Sequence, residues 1–123
     1  MHLFLRAKNG EPTVRFRGTL LHSSYNPGRE ARRFVEGTPD ALCYLIVGDG
    51  LGHLAEALQE AKPGSRILTI HPSRELALSA AGAPGAHVSP ESRPELAQEM
   101  ARAFGAERQY GFELLLWEPA ATA

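Results

Sequence analysis

The chain has 123 residues, 43% of them hydrophobic and 22% charged, a length for one domain rather than two and a composition that buries a core. Its uninterrupted apolar runs, such as Leu114 to Trp117, are far below the ~20 residues that span a bilayer. The net charge of −1 is unevenly spread: residues 1–36 carry seven basic side chains against three acidic ones, and the remainder six against eleven, so the first third either faces an anionic ligand or acidic partner or is simply solvated.

In chain order, residues 3–7 and 13–17 alternate apolar and polar side chains around Asn9-Gly10 and predict a β-hairpin. A short extended piece, Thr19 to His22, leads to Ser23-Ser24-Tyr25-Asn26-Pro27. Asn26 is a natural helix cap and Pro27 a natural first helical residue, which predicts a helix to about Glu36 with Ala31, Phe34 and Val35 on its apolar stripe. Ala41 to Val47 is continuously apolar, the pattern of a strand buried on both faces of a parallel sheet. Gly48-Asp49-Gly50-Leu51-Gly52 is the next turn, and Leu51, Leu54, Ala55 and Leu58 mark a helix that Pro63-Gly64 ends. Arg66 to Ile70 is a strand, followed by His71-Pro72-Ser73 and a helix through about Ala81. After a loop at Gly82 to Gly85 come a short strand, Ala86 to Val88, a helix from Pro94 to Phe104 and a last strand from Gln109 to Trp117.

A hairpin followed by alternating helices and strands predicts an α/β fold: a Rossmann-like mixed sheet with a parallel centre, helices on both faces and an N-terminal β-hairpin. One unit over residues 1–123 is expected, with the hairpin at 3–17 and the α/β core at 18–117. The single cysteine, Cys43, cannot make an internal disulfide and sits in a predicted buried strand as a small apolar residue. With no cationic segment followed by an apolar stretch at the start, the expected location is cytoplasmic.

The glycine string carries the main chemical hypothesis. Gly48, Gly50 and Gly52 alternate between a buried strand and an amphipathic helix. The first permits a sharp turn, the second a close approach of ligand to backbone, and the third close packing at the helix start. Free N–H groups and the positive end of the helix dipole favour an anion there. The candidate cofactor-binding set is therefore Gly48, Asp49, Gly50, Leu51, Gly52, His53 and His71, the last at the end of the following strand. The spacing differs from the dinucleotide fingerprint and from a Walker loop, and is nearer the Gly-x-Gly-x-Gly loop of S-adenosylmethionine-dependent methyltransferases. Where such folds place an acidic residue on ribose hydroxyls, this chain has His71, which lacks two acceptor oxygens. Asp49 either compensates or caps the helix. The cofactor is left unknown, and a loop in which only glycine fits is the alternative to ligand binding.

Elsewhere the residues offer little catalysis. No two of His2, His22, His53, His71 and His87 have the i, i+4 spacing of a helical zinc site. His53 and His71 could meet at neighbouring strand ends. Ser23 and Ser24 follow His22 without a nucleophile elbow. No catalytic residue and no metal ligand is assigned, and no motif for reading nucleic acid is present.

Leu21-His22-Ser23-Ser24-Tyr25-Asn26-Pro27-Gly28-Arg29-Glu30-Ala31, followed at a fixed distance by Gly48 to Gly52, resembles the amino-terminal domain of motility-associated factor glycosyltransferases. These bacterial proteins are associated with flagellin glycosylation and share a central domain with 6-hydroxymethylpterin pyrophosphokinase-like proteins. The resemblance runs from about Ala7 to Trp117, with His53 where an aromatic residue is usual and His71 where an acidic one is usual. It implies a non-catalytic or nucleotide-binding-like accessory domain, because the central domain that handles the activated sugar has no counterpart in this sequence. A glycosyltransferase catalytic domain, a flagellin-related protein or a second copy would be its partner. His22, Ser23, Tyr25, Asn26, Pro27, Arg29 and Glu30 then form either an interaction motif or a structural one. In the structural version Tyr25 packs its ring, His22 meets Glu30, and Arg29 pairs with Glu30 or Glu36. The rival readings are a methyltransferase-like domain using S-adenosylmethionine and a protein-interaction module with a vestigial loop.

Overall fold

The computed structural model describes residues 2–117; Met1 and residues 118–123 of the expected unit lie outside the described residues. The strands sort into two sheets. Strands β1 (His2–Arg6), β2 (Pro12–Phe16) and β3 (Thr19–Leu20) form an antiparallel sheet in that order. The first turn uses Gly10 at φ 90°, where a side chain would be strained. Strands β4 (Cys43–Val47), β5 (Arg66–Ile70), β6 (Ala86–Val88) and β7 (Glu113–Leu116) form a parallel sheet in the order β6-β5-β4-β7. Counted within that sheet, the order is 3-2-1-4, the start of the doubly wound arrangement. The expected parallel centre, flanking helices and N-terminal hairpin are all present, with the hairpin closing on its own sheet.

The continuous apolar run at β4 has the reason read from sequence. Tyr44 and Ile46 face a core shared with Ala31 and Val35 of α1 (Pro27–Glu36), Leu54 and Leu58 of α2 (His53–Ala61), and Leu76 of α3 (Arg74–Ser79). Cys43 and Leu45 face the other side, where Phe104 and Met100 of α4 (Arg93–Phe104) pack with Leu68. Both faces of the strand are thus covered, as its lack of alternation requires. Cys43 is fully buried there, and burial pushes its thiol above the ordinary range. Val14, Phe16 and Leu21 join the first core, so the antiparallel sheet packs onto the helices on the α1 and α2 side. Among the described residues no helix is long and apolar enough to cross a membrane.

Three expectations need correction. Gln109 and Tyr110 belong to a 3-10 helix, Gly105–Tyr110, and not to the last strand. Gly111 at φ 84° reverses the backbone before pairing with β4 begins at Glu113. The helix after Ser73 stops at Ser79 rather than Ala81, and the N–H of Ala81 bonds the Leu78 carbonyl in a tightened last turn. Tyr25 does not pack its ring in the interior; it is exposed, with the Lys8 ammonium 4.6 Å above its centroid.

Candidate functional site

The glycine loop lies at the carboxyl end of β4, where open α/β sheets take their ligands. Its three glycines have φ of 92°, 74° and 91°, values that side chains rarely adopt. Gly48 N–H bonds the Ile70 carbonyl at 2.7 Å, so the loop starts hydrogen-bonded to the end of β5. Gly52 is the residue before α2, and a β-carbon there would collide with Ala83. Its role is the close packing read from sequence.

Several of the donors at this end of α2 are taken by the chain's own side chains. Asp49 is fully buried, and its two carboxylate oxygens accept the N–H groups of Leu54 and Ala55, each at 2.8 Å. The carboxylate therefore occupies the helix N-terminus that an external phosphate would use. Burial pushes its carboxyl up to about 6, against the two N–H bonds that favour the charged form. Of the two roles read for Asp49, the geometry supplies the cap.

The middle glycine is approached by a side chain of this same chain. His22 is 2% exposed and its Nε2 accepts the Leu51 N–H at 2.9 Å. A β-carbon on Gly50 would stand 2.7 Å from that nitrogen. The close approach that Gly50 permits is thus made by an imidazole. His22 is held there by the Leu21 segment, whose carbonyl accepts Trp117 Nε1 at 2.6 Å, and by Thr13, whose hydroxyl donates to the His22 carbonyl. His53 stands edge-on at 4.6 Å between centroids, with its Nε2 bonded to the Pro12 carbonyl at 2.7 Å.

The two sequence motifs therefore meet, through a contact that spacing could not reveal. His22 goes to the loop and does not meet Glu30; Glu30 instead accepts the Ser23 N–H at 2.8 Å. Ser23 Oγ accepts the N–H groups of Tyr25 and Asn26. Asn26 caps α1 by accepting from the Arg29 N–H, and Pro27 begins the helix, as read. Among the described residues Arg29 forms no ion pair with Glu30 or Glu36.

His71 sits at the end of β5 as expected, but it pairs with His87 and not with His53. Its Nε2 lies 2.9 Å from His87 Nδ1, and His87 Nε2 is 3.1 Å from the Pro84 carbonyl. Burial holds His22 and His71 neutral, each pushed down to about 3, with His53 and His71 adding to the effect on His22 and His87 to that on His71. Sequence reading did not find the partnership with His87, which rests on β6 pairing in register with β5. No group of His, Cys, Asp and Glu able to hold a metal ion is present among the described residues. Beyond His87 a groove of about 760 Å³ opens between α3 and the start of α4, with Ser73, Ser89, Glu91 and Glu95 in its walls and none of Gly48 to Gly52.

No family model matches the chain, and no solved structure matches it. It is similar to an uncharacterized protein of Treponema pallidum (strain Nichols), 34% identical over 76 residues. That stretch covers 58% of this chain and 26% of the Treponema protein, so the match spans about a quarter of that protein's length.

Proposed function

We propose that the chain is a non-catalytic, Rossmann-like accessory domain of a motility-associated, flagellin-glycosyltransferase-like protein, working in the cytoplasm. The observation that carries the non-catalytic reading is the closed loop. Asp49 takes the Leu54 and Ala55 N–H groups of α2 and His22 takes the Leu51 N–H, so a phosphate or adenosyl group that used these donors would have to displace both. The glycosyltransferase association rests on the resemblance of Leu21 to Ala31 and Gly48 to Gly52 to that family's amino-terminal domain. A methyltransferase reading is less well supported, because His71 already uses Nε2 on His87 and no carboxylate stands at the end of β5.

A protein-interaction role is compatible with the same reading and has its own support. Leu3, Phe4 and Leu5 on edge strand β1, and Phe112, Leu114 and Leu116 at edge strand β7, are exposed. Such apolar edges are what a catalytic domain, a flagellin-related protein or a second copy would cover.

The test is turnover by the purified chain. Incubated with S-adenosylmethionine or a CMP-activated sugar and a protein acceptor, it should transfer neither methyl nor sugar. Transfer of either group by the chain alone refutes the accessory role.

A further inference from the structure

The start of α1 and the segment before it wall a surface cavity of about 440 Å³, lined by Ser23, Tyr25, Asn26, Arg29, Glu30 and Arg33. None of Gly48 to Gly52 lines it. The backbone beneath it is tied to the first hairpin: the N–H groups of Lys8 and Asn9 donate to the Ser24 and Tyr25 carbonyls at 2.9 and 3.0 Å. Lys8 also stands 4.6 Å over the Tyr25 ring. The walls are therefore held by the chain's own contacts.

The hydrogen bonds already made fix what these side chains still offer. Ser23 Oγ accepts the N–H groups of Tyr25 and Asn26 at 3.0 and 3.1 Å. Both its lone pairs are used, and the hydroxyl is left to donate. Asn26 Oδ1 accepts the Arg29 N–H at 3.1 Å and Asn9 Nδ2 at 2.9 Å. That oxygen is full as well, and the amide NH2 is left to donate. Arg29 and Arg33, one turn apart on α1 and exposed, form no ion pair among the described residues. Glu30 is the one acidic side chain in the wall; its Oε1 accepts the Ser23 N–H at 2.8 Å, and its other oxygen remains an acceptor. With Lys8, three cations stand against one anion.

We propose that this cavity docks an acidic peptide segment of a partner protein, with Arg29 and Arg33 reading its carboxylates. A guanidinium binds a carboxylate through two parallel bonds. The Ser23 hydroxyl and the Asn26 NH2 suit peptide carbonyls, and the free Glu30 oxygen suits a peptide N–H. Tyr25, 62% exposed, adds an aromatic surface, and Tyr and Arg are the residue types that anchor protein interfaces. A bare oxyanion fits less well, because it sets like charge against Glu30 and has no N–H to offer it. A neutral peptide leaves both guanidiniums without counter-charge. The proposal deepens the accessory reading by naming the partner's chemistry, and its binding test is read apart from turnover.

Proton–nitrogen correlation NMR on the full chain tests it, by titration with the peptide Ac-Glu-Asp-Leu-Glu-Asp-NH2, its neutral counterpart Ac-Gln-Asn-Leu-Gln-Asn-NH2, and inorganic phosphate. The acidic peptide should shift the backbone signals of residues 23–33 and the guanidinium Nε–H signals of Arg29 and Arg33, and the neutral peptide should shift neither. Arg29→Gln with Arg33→Gln should weaken binding about tenfold. Arg15→Gln with Arg17→Gln removes the same charge from exposed positions outside the cavity and should bind as wild type does. Equal loss in the two double variants would reduce the contact to diffuse charge and overturn the proposal. So would the same shifts with phosphate alone, which would make this a small-oxyanion site, or no shift with the acidic peptide.

Discussion

Replacing Gly50 by alanine tests whether His22 is the group that the middle glycine admits. The backbone there has φ 74°, and the added β-carbon would stand 2.7 Å from His22 Nε2 and 3.4 Å from Leu21 Cβ. Left-handed backbone costs an ordinary residue about 1–2 kcal/mol. Displacing the ring breaks its bond to the Leu51 N–H and leaves a buried donor unsatisfied, about 1–3 kcal/mol more. The Gly50→Ala variant should therefore lose about 2–5 kcal/mol. For a chain of 123 residues, each kcal/mol lowers the melting temperature by about 4 °C. In a His22→Ala background the ring is gone and only the backbone cost of about 1–2 kcal/mol remains. A double-mutant cycle by urea denaturation should thus return a coupling of about 1–3 kcal/mol. Equal costs of Gly50→Ala in the two backgrounds would refute the contact.

The buried titratable groups set the response to acid. His22 and His71 are pushed from 6.5 to about 3, so the unfolded chain binds more protons between those values; their contribution is complete above 6.5 and is lost as pH falls toward 3. Asp49 has the opposite sign: raised from 3.8 to about 6, it contributes most below 3.8 and loses that contribution as pH rises through 6. Two histidines outweigh one carboxyl, so urea melts between pH 6 and 4 should show stability falling on acidification with a slope of about 1.4 kcal/mol per pH unit, the worth of one proton; a flat or rising profile contradicts the neutral histidine pair. Asn26→Ala removes the cap on the Arg29 N–H and should cost about 1 kcal/mol by thermal denaturation; an unchanged melting temperature would mean that the cap contributes nothing. Trp117→Phe leaves the buried Leu21 carbonyl without its donor and should cost about 1–3 kcal/mol, followed by circular dichroism because Trp117 is the sole tryptophan; a cost below that range would show that another donor reaches the carbonyl.

What was legible in the sequence was local. The continuous run at β4, the Asn26-Pro27 start of α1 and the glycine turn between β4 and α2 follow from neighbouring residues, and all are present. Gln109 and Tyr110 misled because alternation there continues the pattern of β7, while Gly111 reverses the backbone between them. The site was half legible. Asp49 as a cap follows from its place before a helix, but its bonds to Leu54 and Ala55 decide the matter. The meeting of His22 with Leu51 joins residues 29 positions apart in sequence, and that of His71 with His87 depends on strand register. Neither leaves a periodic trace. Such contacts are set by how the antiparallel sheet lies against α2 and by how β6 aligns with β5.

The most direct test of the closed loop is the melting temperature of the wild-type chain against S-adenosylmethionine, S-adenosylhomocysteine, nicotinamide dinucleotides, CMP and CMP-activated sugars. A ligand at 100 times its dissociation constant would stabilise the chain by about 2.7 kcal/mol, roughly 10 °C. With Asp49 on the Leu54 and Ala55 N–H groups and His22 on that of Leu51, the panel at millimolar ligand should be flat. A shift with an adenosyl or cytidine ligand that Gly50→Val abolishes would contradict the account and make the loop a working site.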